Sequence, residues 1–133
     1  MNRHLAVRTT MLEFANSPFE WGEMDCCLFA AKIAHKITGV DYSVLFDHTT
    51  EAEAQVFIEK YGSLEKLITH TLGRDPVDVE QLKAGDPVLV SLPIIGDVIG
   101  VFVGHQVLCK SPNGTLSVNV NRIKMGWRLW PEQ

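Results

Sequence analysis

Residues 18–30 read PFEWGEMDCCLFA, and the run from Trp21-Gly22 through Asp25 into Cys26-Cys27 poses the question on which the whole chain turns. An aromatic side chain, a glycine turn and an acid lead into two adjacent thiols at the point where an apolar helix begins. Asp25 stands where a cap belongs, and the helix runs on through CCLFAAKIAHKIT to a stop at Gly39. The first turn of a helix favours a thiolate, because its backbone N–H groups are unpaired and the positive end of the dipole lies there. Cys26 therefore qualifies as a nucleophile, with Trp21 as the aromatic wall of a cleft. The same residues also fit a plainer reading, in which Cys26 and Cys27 are small hydrophobes on a core helix.

Working outward, the chain changes character once, near residue 84. Residues 3–15 carry Leu5, Met11, Leu12 and Phe14 at roughly helical spacing, and Asn16-Ser17-Pro18 ends the run. Thr50 with Glu53 fits a capping box for EAEAQVFIEKYG, and Ser63 opens LEKLITHTLG with Leu64, Leu67, Ile68 and Leu72 on one face. From about residue 85 to 130 the pattern is β. GDPVLVSL starts with a turn, VIGVFVG and HQVLCK form a hairpin about Gly104-His105, Asn113-Gly114 signals another, and RIKMGWRLW closes as a last strand. Helices followed by an antiparallel sheet are the α+β pattern. Without a repeat, a low-complexity segment or a linker, residues 1–133 are expected to be one domain.

Of the 133 residues, 46% are hydrophobic and 21% charged, the balance of a globular protein. Twelve Lys+Arg against sixteen Asp+Glu leave a net charge of −4, which argues against nucleic acid as the partner. No apolar run reaches the roughly 20 residues that span a bilayer, so no membrane insertion is expected, and the N-terminus lacks the pattern of a signal peptide. Three cysteines, two of them adjacent, do not make a disulfide framework, and synthesis in a reducing cytoplasm is the expectation.

The segment PFEWGEMDCCLFAAKI resembles the surroundings of the catalytic cysteine in NlpC-type cell-wall peptidases, a branch of the papain-like fold. Their pattern has an aromatic residue and Trp-Gly-Gly, then Asp-Cys-Ser-Gly at a helix start. Trp21-Gly22 and Asp25-Cys26 match it, which puts the nucleophile position on Cys26; the spacing is shorter, and Cys27-Leu28 replaces Ser-Gly. KAGDPVLV is similar to the Gly-Asp that opens the family's first central strand, and IGVFVG to the strand that follows. A small tailed-phage family, itself similar to these peptidases, shares PFxWGxxDCxLFAA, a helix ending in Thr-Gly, the Gly-Asp start and a tryptophan near the C-terminus. That resemblance runs from Pro18 to Trp127. It implies a papain-like fold, a place in a phage tail tip or baseplate, and partners among the other tail proteins, such as a hub or central tail-tip protein.

The resemblance also locates what is missing. Aligning Gly100–Gly104 with the family strand puts Val98 where the catalytic histidine belongs, and valine cannot take a proton. The orienting third member would fall near residues 106–109. His105 is the nearest replacement base in sequence, but it lies at the other end of that strand, about 23 Å along an extended chain. His35 is nine residues up the helix from Cys26, about 13 Å. His4, His48 and His70 are read as surface or capping residues.

Other chemistry finds less support. Cys26, Cys27, Cys109 and His105 lack metal-site spacing, three thiols are too few for an iron–sulfur cluster, and no metal or other cofactor is expected. Asp25 and Asp86 are more simply a cap and a turn residue than paired carboxylates, and no phosphate-cradling glycine loop is present. Trp127, Trp130 and Pro131 form an apolar terminal arm suited to a partner, although Trp127 would equally fill the core. SLPIIGDVIG (91–100) reads as an apolar loop, costly if exposed and so a second docking element.

The expectation is therefore a structural tail-tip or baseplate subunit of the virion, made in the host cytoplasm, with a degenerate peptidase-like fold. Trp21, Trp127 and Trp130 are its candidate binding residues. The rival is an active peptidoglycan endopeptidase or amidase with Cys26 as nucleophile, Asp25 as cap and His105 as the weak candidate for the base. A third reading is a module that binds glycan or peptide in the cleft.

Overall fold

The change in patterning near residue 84 is a change in structure: among the described residues four α-helices precede five strands. The computed structural model describes residues 2–15, 26–42, 51–94, 96–111 and 114–130. The helices are α1 (Arg3–Ala15), α2 (Cys26–Thr38), α3 (Glu51–Tyr61) and α4 (Leu64–Leu72). The strands are β1 (Pro87–Leu92), β2 (Gly96–Phe102), β3 (Gln106–Ser111), β4 (Gly114–Asn119) and β5 (Ile123–Gly126). The protein is α+β, its C-terminal half a single antiparallel sheet in the order β4-β3-β2-β1-β5. β1 to β4 form a meander. The chain then returns through a 3-10 turn at Val120–Arg122, and β5 pairs with the free side of β1.

Local chemistry sets several element ends. Ser63 accepts the Lys66 N–H at 3.1 Å and opens α4, while Gly73 closes it at φ 69° with its N–H on the Thr69 carbonyl. Gly39, at φ 81°, closes α2 in the same way. Thr50, half of the expected capping box, lies outside the described residues.

The stretch 91–100 is not a loop. Leu92 pairs with Gly96 and Val90 with Val98, so these residues are the arms of the β1–β2 hairpin. The backbone groups of an apolar stretch find their partners by pairing, and the segment is consumed by the sheet. At its tip Ile94 is exposed, at φ 69°. At the β3–β4 hairpin Ser111 pairs with Gly114, so the connection is 112–113, one residue earlier than the Asn-Gly pair suggests.

Strand alternation splits the apolar residues into two layers. Leu89, Ile99, Val101 and Leu108 face the helices and join Phe29, Ile33, Ile37, Ile68 and Trp127. Val88, Val90, Val107, Cys109 and Val118 face the other way, beside Leu82, Val98 and Phe102. Full burial of a side chain such as Phe29 or Ile33 contributes about 1.5–3 kcal/mol. Gly85 is required where α2 meets the sheet: its φ is 96°, and a Cβ there would lie 2.3 Å from the Ile37 side chain.

α1 has the predicted extent but a different buried face. Arg3, Ala6, Val7 and Thr10 are inside with Met11 half-buried, whereas Leu5 and Leu12 are exposed. The rotation follows from Arg3. Its guanidinium donates to the Asp86 carboxylate at 2.7 Å and to the carbonyls of Ala84 and Leu129, each at 3.1 Å. Asp86 is itself fully buried and also accepts the N–H groups of Lys83 and Leu129 at 2.8 and 2.9 Å. It is thus much more than a turn residue.

The C-terminal arm is held by its own domain as far as Trp130, and Pro131 lies outside the described residues. Trp127 is fully buried, with its backbone N–H on the Pro87 carbonyl and its indole N–H on the Thr69 hydroxyl, so it is a core residue and not a partner-binding one. Leu129 is buried as well; Trp130 remains 61% exposed, its carbonyl accepting from Arg74.

Candidate functional site

Cys26 is the first residue of α2, where the helix leaves backbone N–H groups without intrahelical acceptors. Trp21 and Asp25, the expected aromatic wall and cap, lie outside the described residues, as does His48. α2 is buried on most of its surface, at Leu28, Phe29, Ala30, Ala31, Ile33, Ala34 and Ile37, so its first turn rests on a rigid support. Its last turns approach Gly85, whose N–H donates to the Phe102 carbonyl at the end of β2. Its opening turn lies toward the other end of β2, where Cys27 and Ile99 line one small pocket with Ala31, Tyr42 and Ile68. Cys27 is half-buried, and neither it nor Cys109 is in a disulfide.

The first residues of β2 are therefore those nearest the start of α2. Ile99 and Val101 pack with the helices, and Val98 packs with Val90 and Phe102 on the opposite face of the sheet. Whatever side chain stood at position 98 in this register would point away from α2. Asp97 has the same strand parity as Ile99 and binds Lys124 at 2.8 Å. That hydrogen bond, with the charge of Asp97, raises the pKa of Lys124 above its ordinary 10.5.

The histidines are dispersed. His105 is exposed in the β2–β3 turn, at the end of the sheet where α2 finishes, which removes it as a base for Cys26: twelve residues of helix separate the two ends, about 18 Å. His4 lines the same groove as His105. His35 is exposed near the end of α2, and His70 is exposed on α4 with its ring 4.9 Å from that of Tyr61. His4, His35 and His105 thus lie away from the opening turn of α2. α4, on whose exposed side His70 stands, lines the pocket of Cys27 through Ile68, Thr71 and Leu72. The sulfurs do not converge, because Cys109 is on the sheet face turned away from α2, under Gly100.

One residue near this end of the sheet escaped the sequence reading. Lys110 is buried to 5% exposure on β3, two positions beyond Leu108 and hence on the helix side. β3 runs from the His105 turn toward the end of the sheet where β2 begins, so Lys110 brings a buried cation to the end at which α2 opens. A lysine flanked by Val107, Leu108 and Cys109 was the available signal, since a charge within an apolar strand is rarely buried without a partner. This end of the fold thus carries Cys26 at a helix start and a buried lysine on β3.

No curated protein matches the chain. The sequence model of a family described as a domain of unknown function (DUF6950) matches residues 2–129, and by that match, which takes in every helix and strand above, the chain belongs to this family.

Proposed function

We propose that the protein is a structural subunit of a bacteriophage tail tip or baseplate, built on a papain-like, NlpC-type scaffold that does not hydrolyse. One observation carries the loss of hydrolysis: in the strand beside the start of α2, the positions on the helix side are Asp97, Ile99 and Val101, none of them a histidine, and Val98, which the resemblance aligns with the histidine, lies on the other face. A helix-start thiol can still ionise, but turnover needs a base within hydrogen-bond reach to take and return the proton. The helix opening on Cys26 over an antiparallel sheet supports the scaffold. The tail location and the hub-like partner rest on the resemblance carried by Pro18–Trp127.

The test is digestion of purified peptidoglycan by the wild type and by Cys26→Ala, followed by chromatography of soluble muropeptides. The expected result is no release above buffer from either protein. Release by the wild type that disappears in Cys26→Ala would overturn the proposal in favour of an active endopeptidase or amidase. Mass spectrometry of purified virions supplies the second arm, with the chain expected in tail fractions; its absence from particles would sink the structural role.

A further inference from the structure

At the end of the sheet away from Cys26, a groove of about 390 Å³ runs between α1 and the β2–β3 turn. Its apolar floor is Val7, Met11, Val103 and Leu108, and its rim carries His4, Arg8, His105 and Gln106. Among the described residues, every ionisable side chain that lines it is basic, on a chain whose net charge is −4. His4 and Arg8 are one helical turn apart on α1 and project side by side, with His105 contributed by the turn. Arg8 and both imidazoles sit on exposed residues and make no ion pair among the described residues. Gln106 pairs its carbonyl oxygen with Ser117, which leaves its amide N–H groups as donors. Leu12, also lining the groove, is 66% exposed where the α1 stripe would have put it inside had Arg3 not turned the helix.

We infer that this groove binds an acidic peptide segment of a partner protein, an apolar side chain seated on Val7, Met11 and Leu108 and its carboxylates held by Arg8, His4 and His105. The rim supplies donors and positive charge where a carboxylate needs them. The floor supplies the apolar contact that a bare anion could not use. A nucleic-acid strand fits less well, because among the described residues no Phe, Tyr or Trp lines the groove for base stacking. The groove is remote from the thiol, so its role stands or falls independently of whether Cys26 is active.

The probe is a fluorescein-labelled peptide of about a dozen alternating leucines and glutamates, titrated into the full chain by fluorescence anisotropy. Saturable binding is expected, weakened at least tenfold in Arg8→Glu and similarly in the pair His4→Ala/His105→Ala, and weakened likewise when glutamine replaces glutamate in the peptide. These rim residues are exposed, so circular dichroism of each variant should match the wild type. Backbone amide shifts on binding should concentrate in α1 and residues 103–108. Equal affinity for the glutamine peptide, an unaffected Arg8→Glu, shifts mapping elsewhere, or tighter binding of a single-stranded oligonucleotide of equal charge would each overturn the proposal.

Discussion

Asp86 joins three distant parts of the chain: Arg3 at the start of α1, Lys83 before β1, and Leu129 beyond β5. Its carboxylate is fully buried, so removing it strands the Arg3 guanidinium, whereas removing Arg3 leaves the carboxylate with Arg128 at 3.7 Å. Asp86→Ala is expected to cost about 3–5 kcal/mol of unfolding free energy in urea titration. Arg3→Ala should cost less, because Arg128 still faces the carboxylate, and the double variant less than the sum, because the two charges act on each other. Additive losses would show that the pair is not coupled. Nothing local in KAGDPVLV announces this role, since the partner guanidinium is 83 residues away. The same holds for Lys110, whose burial depends on the register of the sheet and not on its neighbours in sequence.

At the scale of elements, the β1–β2 hairpin carries the clearest local cost. Ile94 is a β-branched residue at φ 69°, and its side chain is fully exposed at the tip. Strain of this kind costs of order 1–3 kcal/mol, and no burial offsets it here. Ile94→Asn, which tolerates the left-handed region, should therefore raise stability by about 1 kcal/mol in thermal or urea unfolding. A neutral or destabilising result would show that the tip is not strained. Helix extents were legible in the sequence, because caps and glycine stops are local: Ser63 and Gly73 bracket α4, and Gly39 ends α2. The buried face of α1 was not. A hydrophobicity pattern favours Leu5 and Leu12, whereas the stripe that packs is Arg3, Ala6, Val7 and Thr10, chosen by the ion pair with Asp86.

Across the whole molecule, the C-terminal segment locks helices to sheet. Trp127 reaches from the end of β5 to Thr69 on α4 and fills the helix-side core, while Trp130 stays at the surface. Trp127→Ala is expected to cost about 3–5 kcal/mol, and Trp130→Ala no more than about 0.5 kcal/mol, as read by urea unfolding of the isolated chain. Comparable losses at the two positions would refute this division. The α+β order, the location of most elements and the placing of Cys26 at a helix start are written in the sequence, because periodicity, caps and turn residues act over a few positions. The two faces of the sheet were settled only when the strands paired. That pairing turned Val98 from the helix, consumed residues 91–100 as a hairpin, set His105 at the far end of α2, and drew Trp127 inward. Each outcome depends on which distant segment lies opposite, a relation that side-chain alternation and long-range burial impose and that no short stretch of residues encodes.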